Sequence, residues 1–92
     1  MNVFAVVALN DLTSPNIKNA VVTAFAENNL EVGKMAWIVA DSGTTLSVAK
    51  QLGIPDNPEM SGVLVVNFTS YYGRASANVW EWIKTKLEAA PK

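Results

Sequence analysis

Three apolar runs punctuate the chain: Val3-Phe4-Ala5-Val6-Val7-Ala8-Leu9, Met35-Ala36-Trp37-Ile38-Val39-Ala40 and Gly62-Val63-Leu64-Val65-Val66-Asn67-Phe68. Each is short and rich in valine, isoleucine or aromatic residues, so each reads as a strand. None alternates with polar residues, as a strand with one solvated face would. Both faces of the sheet are therefore expected to be covered. Between the runs the apolar spacing changes to that of a helix. Ile17, Val21, Ala24 and Phe25, with Ala20 beside them, form one stripe of a helix predicted over Pro15 to Glu27. Ser14-Pro15 is its expected start, with serine as the cap, and Asn28-Asn29 its left-handed exit.

Leu30-Glu31-Val32 alternates like a short edge strand, turning at Gly33-Lys34 into the Met35–Ala40 run. Asp41-Ser42-Gly43-Thr44 ends that run with capping residues. A second helix follows from about Thr44 to Leu52. Leu46, Ala49 and either Leu52 or Val48 point inward, and Gly53 lies just past its end. Ile54 to Ser61, with Pro55, Asn57 and Pro58, reads as an irregular loop. Val79, Trp80, Ile83 and Leu87 mark a last helix from about Ala75–Ala77, capped by Ser76, to near Ala89, before Pro91.

This order is that of a single α+β domain over residues 1–92, a ferredoxin-like βαββαβ sheet with an additional C-terminal helix. The first and third strands become central neighbours. Right-handed crossovers place the first two helices on one face. The second face is then left to the last helix, or to a second copy of the molecule.

Composition narrows the function more than the fold. Half of the 92 residues are hydrophobic and only 16 % are charged, a surplus of apolar surface for so small a core. A homodimer is the simplest assembly to absorb it. A net charge of −1 does not favour a chain that tracks phosphates. There is no histidine and no cysteine, which excludes Ser–His and Cys–His catalysis, disulfides and thiolate metal sites. No apolar run approaches the ~20 residues of a membrane span, so no membrane partner is expected. The N-terminus lacks the pattern of a signal peptide, and the expected location is cytoplasmic.

The order of pieces resembles the small SinR-family proteins, ferredoxin-like relatives of the small CRISPR adaptation subunit and of VapD-type ribonuclease toxins. The resemblance runs through Phe4-Ala5-Val6-Val7, then Ala36-Trp37-Ile38-Val39 with a short capped helix after it, then Leu64-Val65-Val66, and a late Glu81-Trp82-Ile83-Lys84 helix. It implies a metal-dependent endonuclease, with the metal on an aspartate of a Tyr-Asp pair ending the first strand. Here that place is Ala8-Leu9, with Asn10 and Asp11 just beyond.

Candidate chemistry is sparse. If the first and third strands run parallel, Asp11 and Asp41 leave the sheet at one edge and two carboxylates there would hold Mg²⁺. The plainer reading makes each a polar loop residue before a helix. Ser14, Ser42, Gly43 and Thr44, at the two helix starts, either cap or attract an anion. Tyr71, Tyr72 and Arg74 form a compact aromatic and cationic group. It would stack a base and touch a phosphate, rim a dimer contact, or pack on itself. Trp37 and Trp80 read as structural. Trp82, on another side of its helix from Trp80, is a further dimer-contact candidate. The leading expectation is a non-catalytic homodimeric binding or assembly module without cofactor. The alternative is a Mg-dependent nuclease or nucleic-acid-binding protein.

Overall fold

The computed structural model describes residues 1–88. The expected helix end near Ala89 and the closing Pro91 lie outside them. The elements are β1 (Asn2–Ala8), α1 (Ser14–Ala24), β2 (Asn29–Gly33), β3 (Ala36–Asp41), α2 (Thr45–Gln51), β4 (Val63–Phe68) and α3 (Ala77–Glu88), with one 3₁₀ turn at Pro58–Met60. The fold is α+β, a four-stranded antiparallel sheet with three helices, in the spatial order β2-β3-β1-β4. β1 and β3 are the central neighbours, as expected, but they run antiparallel, with Asn2 opposite Asp41 and Val7 opposite Ala36.

Strand side chains alternate between faces, and the two faces of this sheet are treated differently. Phe4, Val6 and Ala8 of β1 meet Trp37 and Val39 of β3 on one face. Ile17, Val21 and Phe25 from the α1 segment and Val48 and Leu52 from the α2 segment close over them, with Met60 at one corner. Both helices thus cover one face. Val48 and Leu52 are the buried pair. Leu46, expected inward, is exposed.

The opposite face belongs to α3. Ile83 is buried against Val3 and Ile38, with Val79, Trp80, Trp82, Leu87 and Phe68 packed around it. The expected stripe of this helix therefore docks on its own sheet. It covers that face at only one end.

Local chemistry explains most element boundaries. Thr44 caps α2: Ser47 N–H donates to its Oγ1 at 3.2 Å, and its own N–H donates to Ser47 Oγ at 3.0 Å. Gly53, with φ of +79°, follows as expected. α1 departs from the sequence reading. Ser14 is no cap; its hydroxyl donates to the Lys34 carbonyl at 3.0 Å. The turn before the helix is held by Asn10, whose Oδ1 accepts from Thr13 N–H at 2.9 Å. The helix stops at Ala24, short of Glu27, with Phe25 as its C-cap. Asn29 then donates from Nδ2 to the Phe25 carbonyl at 2.6 Å. No asparagine there is left-handed, since among the described residues only glycines have positive φ. Side-chain capping replaces the left-handed exit. The Ser76 hydroxyl, expected as the α3 cap, bonds Asn78 Oδ1.

Candidate functional site

The antiparallel pairing of β1 with β3 overturns the proposed carboxylate pair. Asp41 stands opposite Asn2 at the start of β1, whereas Asp11 lies three residues beyond Ala8 at its end. About 20 Å of strand separates the two positions, at a rise of about 3.3 Å per residue. They cannot share a metal ion. Asp41 has local work: its Oδ2 accepts from Gly43 N–H at 2.9 Å. Asp11 is exposed on the turn before α1. Among the described residues, no cluster of three acidic side chains forms a metal-binding group.

One surface cleft of about 430 Å³ is lined by Asn10, Leu12, Thr13, Asn16, Glu59 and Ser61, and a second of about 430 Å³ lies along Ile54 to Val63 at the 3₁₀ turn. Thr13, a buried polar residue, anchors the turn before α1. Its Oγ1 lies 2.7 Å from the Ser61 carbonyl and 2.8 Å from Asn10 Oδ1, and its single hydroxyl proton serves one of them. Among the described residues, every buried side-chain polar atom has a partner. Neither cleft therefore holds a buried side-chain polar atom left without a partner. The start of α2 is occupied by the Thr44–Ser47 capping box, and at the start of α1 the Ser14 hydroxyl is turned to the Lys34 carbonyl.

The aromatic group after β4 divides. Tyr71 stacks on Trp80, centroids 5.7 Å apart with planes at 14°, and meets Phe68 edge-on at 6.1 Å. That ring packs within the chain. Tyr72 and Arg74 are left exposed. Trp82 is half-buried on the sheet, and Lys86 Nζ sits 5.7 Å from its ring centroid. The same ammonium donates to Asn28 Oδ1 at 2.8 Å, tying α3 to the end of the α1 segment. Trp82 is therefore engaged within its own fold.

What remains is the open part of the second sheet face. Its side chains come from alternate positions: Val3, Ala5 and Val7 of β1, Ala36, Ile38 and Ala40 of β3, Leu64, Val66 and Phe68 of β4, and Leu30 and Val32 of β2. None is polar. α3 buries the Val3–Ile38–Ala40 end. Toward β4 the cover fails: Leu64 is 50 % exposed and Val66 41 %, beside half-buried Ala5 and Val7. Leu9, just past β1, is 62 % exposed. This is a contiguous apolar surface along one side of the sheet. The sequence predicts this face covered by the last helix or by a second copy, and within one chain α3 leaves Leu64 and Val66 bare. The missing β4 alternation did signal an apolar face, but not where α3 would land on it.

No family model, curated protein or solved structure matches the chain. No helix among the described residues is long and apolar enough to cross a membrane.

Proposed function

We propose that the chain is a non-catalytic binding and assembly module, a small cytoplasmic ferredoxin-like protein that works as a homodimer. The βαββαβ element order, followed by α3, and the central position of β1 and β3 support the ferredoxin-like assignment. One observation carries the functional reading. The open apolar surface of Val7, Leu64 and Val66 lies on rigid strands, where solvent exposure is unfavourable at roughly 25 cal/mol per Å². A surface without a charged or polar side chain suits another apolar surface, and a second copy supplies one without like-charge repulsion. Size-exclusion chromatography with light scattering tests this. The expected mass is twice the 9.9 kDa of the chain. A 9.9 kDa species at every concentration up to millimolar refutes it.

The exposed pair of Tyr72 and Arg74 favours one second reading. It is a nucleic-acid-binding surface of the SinR-like kind, in which Tyr72 stacks a base and Arg74 holds a phosphate. The associated Mg-dependent nuclease activity would need ligands other than the Asp11–Asp41 pair. Salt-sensitive anisotropy changes with labelled RNA or DNA, lost in Arg74→Ala, are its expected signature.

A further inference from the structure

The two edges of the sheet are finished differently. β2 is five residues long, is bulged between Glu31 and Gly33, and carries an acidic side chain that lies 3.8 Å from Lys18 Nζ. A short, bulged, charged strand is a blunted edge that resists further pairing. β4 has none of these devices. Its six residues, Val-Leu-Val-Val-Asn-Phe, pair with β1 in unbroken register from Val63–Ala8 to Phe68–Val3. It contains no proline, and no residue from Gly62 to Ser70 is charged. An unbulged, uncharged, valine-rich edge left open invites uncontrolled strand addition unless the fold uses it.

The ladder phase identifies the groups that this edge offers. Leu9 N–H donates to the Gly62 carbonyl at 2.6 Å, which makes Leu9–Gly62 a hydrogen-bonded pair. Antiparallel pairs alternate, so Gly62, Leu64, Val66 and Phe68 turn their backbone groups toward β1. Val63, Val65 and Asn67 turn theirs outward. The side chains follow the opposite rule. Val63 and Val65 pack on the helix-covered face, while Leu64 and Val66 stand on the open one.

We propose that β4 pairs antiparallel with β4 of a second copy, with Val65 of each chain opposite the other across a two-fold axis. This deepens the homodimer reading and rests on it. In this register Val63 faces the partner's Asn67, and Asn67 faces the partner's Val63. All three outward residues join hydrogen-bonded pairs, about six bonds in all. Leu64 then stands opposite the partner's Val66, in the pair type that brings side chains closest. The two most exposed apolar residues of β4 thus touch side by side across the seam. No charge opposes a like charge anywhere along the strand. Shifting the register by one residue would set the outward backbone groups of each strand opposite residues whose groups point away. The two four-stranded sheets become one continuous sheet, and the blunted β2 edges form its ends.

Amide hydrogen exchange by NMR, read with the light-scattering mass, tests the proposal. In a monomer, Val63, Val65 and Asn67 exchange freely while Leu64 and Val66 are slowed by their bonds to β1. In the proposed dimer, all five are slowed, and protection of the first three is lost on dilution. Asn67→Pro is the matching variant. It removes an outward N–H from an exposed edge residue, a place where a strand accepts proline. It should leave the far-UV spectrum unchanged and weaken dimerisation by about tenfold or more. A dimer whose Val63, Val65 and Asn67 amides stay unprotected overturns the edge pairing while leaving self-association intact. A chain that stays monomeric overturns both. The wild-type exchange pattern decides the matter even if Asn67→Pro does not fold.

Discussion

Ile83→Ala probes how α3 is held to the sheet. Ile83 is 2 % exposed and sits between Val3 and Ile38, which are 0 % and 6 % exposed. The truncation removes three carbons from that contact. At about 0.8 kcal/mol per buried methylene, the transfer loss is about 2.4 kcal/mol. Val3 and Ile38 sit in paired central strands and cannot move into the gap, so a cavity of about 50 Å³ adds about 1 kcal/mol. The expected loss is about 3.5 kcal/mol, a large part of the roughly 5–14 kcal/mol available to a chain of 92 residues. Urea unfolding followed by circular dichroism measures it. Tryptophan emission locates it, because Trp80 and Trp82 lie on α3 whereas Trp37 lies under the other two helices. In a Trp37→Phe background, the emission should shift to the red and become accessible to iodide before the sheet unfolds. A loss below about 1 kcal/mol, with unchanged emission, would refute the claim that this contact seats the helix.

Three further substitutions separate local effects. Thr44→Ala removes the cap of α2 and should cost about 1 kcal/mol in urea unfolding, with the dimer mass unchanged. Gly62→Ala should cost at least about 1–2 kcal/mol in the same assay: Gly62 has φ of +76°, and a methyl there would run into the Asn10 amide that holds the turn before α1. Leu64→Lys changes a half-exposed side chain on the open face; monomer stability should move by less than about 0.5 kcal/mol, while light scattering shows dimerisation weakened.

The two central strands were legible because their residues alternate between two largely covered faces, so Val3–Ala8 and Ala36–Ala40 hold no polar residue. Val3-Phe4-Ala5-Val6 has Val3 under α3 and Phe4 and Val6 under α1 and α2. The α3 stripe was legible too, since Val79, Ile83 and Leu87 recur at helical spacing and dock together. Direction was not. The Asp11–Asp41 idea required β1 and β3 to run parallel, and β2 reverses the chain between α1 and β3, which makes them antiparallel. Capping at α1 was misplaced because Ser14 and Asn10 are both good capping residues and only tertiary contact separates them. The Lys34 carbonyl takes the Ser14 hydroxyl, and Thr13 is buried beside Ser61. Tyr71 likewise found its stacking partner in Trp80, nine positions away. The open surface at Leu64 and Val66 depended on where a twelve-residue helix comes to rest on a wider sheet.

A concentration series of ¹H–¹⁵N spectra tests most directly the claim that this protein assembles along one side of its sheet. Cross-peaks of Gly62 to Phe68, with Val7 and Leu9 beside them, should move together as the sample is diluted, while those of α1, α2 and β2 stay fixed. Shifts concentrated on α1 or on β2, or a spectrum indifferent to concentration from micromolar to millimolar, would contradict it.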